Sequence, residues 1–194
     1  MGRKSNAEEK RGQIIWALYD CLVEKGHEKV TIKEIANKAG LPPGVIHYYF
    51  KNKDEIVAKL AKAIVDKYSL ELQMCLKTVA TLEQRIESAI DFLIDRLIFN
   101  LSLGRVFYNL IQMAFERDEL NRVLRNVLEN YRQQLSGIFK EAGAGYDSKM
   151  LGASLVALTE GFSLQLMVDP TAFNRDAVSQ IIRKAVVDSF NPAQ

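Results

Sequence analysis

Between Thr31 and Ile56 the chain reads TIKEIANKAGLPPGVIHYYFKNKDEI, and side chains able to make external contacts are concentrated there. Gly44 allows close backbone approach, Val45 offers a contact to a thymine methyl, and His47 can donate to or accept from a base edge or a phosphate. Tyr48, Tyr49 and Lys53 set two phenols and an ammonium near one another in sequence, a combination suited to phosphate oxygens. Lys53 falls at the start of a helix, where a cation opposes the macrodipole at a cost of ~0.3–1 kcal/mol that a docked phosphate would remove. Thr31 and Lys33 complete the candidate contacts to a nucleic acid.

The same inventory carries no catalytic constellation. His27 and His47 are the only histidines, there is no HExxH, and neither Cys21 nor Cys75 has a sequence neighbour that would activate it. Two cysteines this far apart suggest neither a zinc site nor a disulfide framework, and both are expected to be packed thiols. Gly143-Ala144-Gly145 follows a helix and not a strand, so it is an interhelical turn and not a nucleotide loop. An enzyme, a cofactor and a metal are therefore not expected.

The elements that must position these residues are helical throughout. Apolar residues recur at steps of three and four, strand alternation is absent, and only four prolines occur. A first helix is expected from about Ala7 to Lys25, with Ile14, Leu18, Cys21 and Leu22 on one stripe and a stop at Gly26. Trp16 falls opposite that stripe and is expected to pack between domains. Thr31 and Glu34 have the spacing of a capping box at the start of a second, short helix with Ile32, Ile35, Ala36 and Ala39 on its apolar face. Gly40 ends it, and Leu41-Pro42-Pro43 leads into a third short helix from about Gly44 to Phe50. Two short helices joined by a tight glycine turn make a helix-turn-helix. Asn52 caps a fourth helix reaching about Thr78; further helices are expected near 82–101, 104–115, 118–142, 147–168 and 174–190.

Charge and hydropathy narrow the class. The chain carries a formal +2, and the surplus lies in residues 1–55, with ten Lys/Arg against eight Asp/Glu. That placement suits a nucleic-acid partner. Met1 to Gly12 is polar with no apolar segment after it, so a cytoplasmic location is expected. Met150 to Val168 is the least charged stretch, but Glu160, Ser154, Thr159, Ser163 and Gln165 mark it as a core helix and not a membrane span.

Residues 10–56 resemble the N-terminal domain of the TetR family. The resemblance rests on Thr31-Ile32-Lys33-Glu34-Ile35-Ala36, then Ala39-Gly40-Leu41, then Gly44-Val45-Ile46-His47-Tyr48-Tyr49-Phe50-Lys51-Asn52-Lys53-Asp54-Glu55-Ile56. It implies an all-α fold, with a three-helix helix-turn-helix domain over residues 1–53 and a helical-bundle domain for ligand binding and dimerisation over 54–194. It also implies a repressor that binds palindromic operator DNA as a homodimer and is released by a small-molecule effector. By position, the base and phosphate readers correspond to Pro43, Gly44, Val45, His47 and Tyr49, with Lys53 as phosphate contact and Phe50 in the core. Pro42-Pro43 and Val45 depart from the family, which often has serine and threonine there, so fewer polar base readers remain.

In the larger domain, Phe92, Arg96, Phe99, Tyr108, Gln112, Met113 and Glu160 are the candidate ligand contacts, since a cavity between bundle helices with a few converging polar groups is a common small-molecule site. Arg96 and Glu160 require partners if buried, and could pair with each other. An inward Glu160 favours a cationic ligand; an inward Arg96 favours an anionic one. The last two helices are the expected dimer interface, with Gly152, Ala153, Ala157 and Gly161 allowing close approach. Val178, Ile181, Ile182, Ala185, Val186 and Phe190 provide the apolar surface there. A second reading keeps the DNA reader and replaces the small effector with a protein partner.

Overall fold

The computed structural model describes residues 2–141 and 147–190, so the Gly143-Ala144-Gly145 turn lies outside the described residues. Among them the fold is all-α. The helices are α1 (Gly2–Lys25), α2 (Ile32–Lys38), α3 (Pro43–Tyr49), α4 (Lys53–Lys77), α5 (Leu82–Phe92), α6 (Leu101–Phe115), α7 (Asp118–Glu141), α8 (Ser148–Val168) and α9 (Arg175–Phe190). A 3₁₀ turn, His27–Lys29, precedes α2, and a π-turn, Leu93–Ile98, extends α5.

Local chemistry explains most boundaries. The Thr31 hydroxyl accepts from the Glu34 amide at 3.2 Å while the Glu34 carboxylate accepts from the Thr31 amide at 2.9 Å, which completes the capping box. Gly26 and Gly40 take φ of 75° and 64°, a region that residues with a Cβ enter at a cost, and both helices before them end there. Pro43 opens α3, where its missing N–H leaves no bond unmade. Asn52 accepts from the Glu55 amide at 2.9 Å, Asp147 from Lys149 at 3.0 Å and Asn174 from Ala177 at 2.8 Å, so three further starts carry side-chain caps.

The chain forms two compact units: Met1–Val65 with Arg105–Val127, and Asp66–Gly104 with Leu128–Gln194. The first therefore extends past the expected boundary at residue 53. Ile56, Val57 and Leu60 at the start of α4 and Val106, Leu110 and Met113 of α6 are all buried, and they supply apolar surface that three short helices alone would lack. Ile14, Leu18, Cys21 and Leu22 of α1 are buried as their spacing predicts. The second unit closes around Ile90, Leu93, Ile94, Leu135, Phe139 and Leu155, with Val178, Ile182 and Val186 of α9 packed into the same cluster.

Three expectations need correction. The helix expected over 82–101 stops earlier: the Phe99 amide reaches back five residues to the Ile94 carbonyl, and Asn100 caps α6 by accepting from Leu103 at 3.0 Å. Gly104 is thus inside α6 and not at its edge; a Cβ there would meet Ser163 Oγ at 2.6 Å, so the glycine serves a close crossing with α8. Cys21 is a packed thiol, but Cys75 is exposed. Gly152 does permit close approach, yet to α7 of its own chain, since its Cβ would lie 2.8 Å from the Arg132 carbonyl oxygen.

α8 is long and apolar enough to cross a membrane by length and composition alone. Eight of its residues, from Leu151 to Leu166, are buried inside the second unit, which is the pattern of a core helix.

Candidate functional sites

α3 is anchored from one side. Ile46 is buried within it and Phe50 just after it, and the Arg11 guanidinium sits 5.2 Å from the Phe50 ring centre. Pro43, Gly44, His47 and Tyr48 are exposed, and a Cβ on Gly44 would meet nothing within 4 Å. Tyr48 is 82% exposed and meets the half-buried Tyr49 edge-on, with ring centres 5.0 Å apart. Val45 is half-buried, and Thr31 and Lys33 at the start of α2 are exposed. The predicted set thus shares one short segment, with six of its members open to a partner. Thr31 is also engaged in its cap, so its hydroxyl serves the helix first.

Lys53 departs from the expected cluster with the tyrosines. Its ammonium donates to the Val30 carbonyl at 2.7 Å and the His27 carbonyl at 3.3 Å, closing the turn before α2. Burial, and then the positive Arg117, hold its pKa below the usual lysine value. The carbonyls lie more than twenty residues upstream, and so the role has no signal in local spacing.

Two polar groups from α6 and its end reach the same turn and α4. The Asn109 side-chain oxygen accepts from the His27 amide at 2.7 Å and lies 3.1 Å from His27 Nδ1, while its Nδ2 donates to the Arg105 carbonyl at 2.7 Å. Arg117, just beyond α6, pairs with Asp54 at 3.0 Å. Sequence reading did not find this clasp, because an asparagine on a helix surface looks like any solvated amide. The α1–α2 packing carries its own ion pairs, Lys25 with Glu34 at 2.6 Å and Lys38 with Glu24. Those two lysines are held by carboxylates at the surface, where such pairs contribute little to stability.

A family model described as bacterial regulatory proteins, tetR family, matches residues 14–60, and a second, the BetI-type transcriptional repressor C-terminal domain, matches residues 82–190. The chain belongs to the TetR family. Its curated relatives include the transcriptional regulator PksA of Bacillus subtilis, 24% identical, covering 96% of this chain and 92% of that one. They include the fatty acid metabolism regulator protein of the same species, 27% identical over 66% of each chain. A third is BetI of Brucella abortus, 22% identical over 85% of this chain and 96% of the relative. Among solved structures, a TetR regulator from Haloarcula marismortui has a TM-score of 0.82 at 18% identity, covering 93% of this chain and 97% of that one. FadR of Bacillus subtilis in complex with stearoyl-CoA has a TM-score of 0.77 at 22% identity, covering 91% and 97%. This TetR-family chain is a DNA-binding transcriptional regulator and not an enzyme.

The seven expected ligand contacts of this TetR regulator divide between the units. Tyr108, Gln112 and Met113 belong to the first: Tyr108 is exposed, Gln112 half-buried and Met113 buried. Phe92, Arg96, Phe99 and Glu160 belong to the second, where Phe92 is in the core and Phe99 packs against it. Arg96 is exposed and forms a fork on Glu71, with Nη2 at 2.6 Å and Nε at 3.1 Å, so its partner is not Glu160. Glu160 has one carboxylate oxygen shut away from solvent without a hydrogen-bond partner, and burial raises its pKa above the usual glutamate value. The Tyr131 hydroxyl, beside Thr159, is likewise buried and unpartnered, and burial raises it too. Tyr131, an aromatic on the apolar side of its helix, is not among those seven. Its adjacency to Thr159 is set by the contact between α7 and α8.

Proposed function

We propose that this regulator acts in the cytoplasm as a homodimeric repressor that binds a palindromic operator through α3 and is released by a small-molecule effector held in the C-terminal domain. The observation that carries the DNA reading is α3 itself. Seven residues bury one side chain and turn Pro43, Gly44, His47 and Tyr48 outward, an arrangement that fits a recognition helix entering the major groove. Thr31, Lys33, Val45, Tyr49 and Lys53 supply or position the flanking contacts, most of them to phosphates.

Dimer formation is supported by the outer faces of α8 and α9. Leu164, Val168, Ile181 and Val187 remain exposed there, and a Cβ on Gly161 would meet nothing within 4 Å. A second copy would cover this apolar surface, and the operator would mirror the two-fold axis. Chain continuity supports control by an effector. α4, α6 and α7 each pass from one compact unit to the other without a break, so a change in the second unit has a helical path to the reader.

Duplex selection from a random pool tests the reading. A palindromic site with half-sites one helical turn apart, about 34–36 Å, is expected, with affinity falling steeply as salt rises. Tyr48→Ala should weaken that affinity about tenfold, the scale of one charge-supported contact, with folding intact. A pool from which no duplex is enriched would remove the proposal.

A further inference from the structure

We propose that the effector site of the second unit is centred on Tyr131 and Glu160 and takes a small organic cation bearing N–H groups, a protonated primary or secondary amine with an apolar body. The inference rests on the effector reading above and assigns the ligand's chemical class. Among the described residues, buried side-chain polar atoms without a hydrogen-bond partner occur at Arg117, Tyr131 and Glu160. Arg117 has its countercharge in Asp54. Tyr131 on α7 has the Thr159 side chain and Glu160 beside it, and Glu160 on α8 has Arg132 as its nearby cation. A buried carboxylate oxygen and phenol left unsatisfied are a destabilised arrangement that a ligand with two donors would relieve.

The charge distribution decides the sign of the ligand. Each arginine of the second unit already meets a carboxylate: Arg85 on Glu141, Arg96 on Glu71, Arg132 on Glu129, Arg175 on Asp91 and Asp95, and Arg183 on Glu87 and Asp91. An anionic effector that used an arginine would have to displace one of these acids. Arg132 is the cation nearest in influence to Glu160, and it is engaged with Glu129 at 3.1 and 3.3 Å. The Thr159 hydroxyl beside Tyr131 donates to the Leu155 carbonyl at 2.8 Å, so it has no proton to offer Glu160. What the site lacks is a donor with positive charge. Leu155, Val156 and Phe162 on the same helix are buried in the core of the unit, so the surroundings of Glu160 are apolar. An ammonium without N–H could balance the charge but could not hydrogen-bond either oxygen, so it should bind less well.

Thermal-shift and calorimetric titrations of the full chain test this with three head groups on hexyl and phenethyl skeletons: the primary amine, its N-trimethyl counterpart and the carboxylate. The amines should raise the melting temperature of the wild type in a saturable way and bind at least tenfold more tightly than the other two head groups. Glu160→Gln, which keeps the shape and removes the charge, should weaken amine binding at least tenfold, and Tyr131→Phe should weaken it several-fold. Preference for the carboxylates, amine binding unchanged in Glu160→Gln, or no binding by any amine would each overturn the inference. Duplex selection run on the same preparations separates the two readings: a chain that still selects its duplex loses only the amine assignment, and one that selects none loses the parent reading.

Discussion

α3 has seven residues, hides Ile46 alone and leaves Gly44, His47 and Tyr48 to solvent, whereas α8 has 21, hides eight and carries Glu160 with an oxygen that no group meets. One region keeps its unmet chemistry outside and the other keeps it inside. On the proposed function, the difference follows from partner size. Duplex DNA is too large to be enclosed and is read from a convex helix, while a small molecule must be surrounded to be distinguished. The structural demands differ accordingly: the reader needs rigid capping of short helices, and the second unit needs a core large enough to tolerate polar groups within it.

Substitutions can break this contrast at either end. The largest effect is expected from Phe139→Ala, which empties a fully buried site in the second unit and should cost about 3–5 kcal/mol in denaturant unfolding. If it cost no more than a surface change, the second unit would not be the packed body that its polar pair requires. Asn109→Ala comes next. It strips the buried-side partner from the His27 amide and should cost about 1–3 kcal/mol, with faster hydrogen exchange at His27 as the specific sign. Thr31→Ala removes one half of the capping box and should cost ~1 kcal/mol, with the loss confined to α2 and α3.

A smaller effect, of opposite sign, sharpens the other end of the comparison. Burial raises the Glu160 pKa above its ordinary 4.5, so the folded chain holds that proton more firmly than the unfolded one. The associated stability is complete below the unfolded pKa and is lost as pH rises through the raised value. Glu160→Gln should therefore melt slightly above the wild type at pH 7–8, and the gain should shrink toward pH 4. A difference independent of pH would mean that the carboxyl is not strained by its surroundings.

Apart from the Asn100 cap of α6, the boundaries set by one short-range rule were legible in the sequence. The capping box at Thr31, the stops at Gly26 and Gly40, the cap at Asn52 and the separation of α8 from α9 all depend on residues within a few positions of one another. Features built by distant segments are the ones that escaped. Lys53 turns to Val30, Asn109 to His27, Gly104 to Ser163 and Tyr131 to Thr159, and no local pattern encodes which helix will stand opposite. The family motif supplied the outward residues of α3 directly. The nearness of Tyr131 to Glu160 needed the packing of α7 on α8.

The two cysteines give the molecule a built-in clock. Cys75 on α4 is exposed, whereas Cys21 is buried in the first unit, with its thiol pKa pushed up by that burial. A disulfide reagent should titrate one thiol per chain at once and the second only as often as the first unit opens. Cys75 then calibrates the reagent within every measurement. The slow phase times the opening of the body that carries α3, and a bound operator duplex should lengthen it.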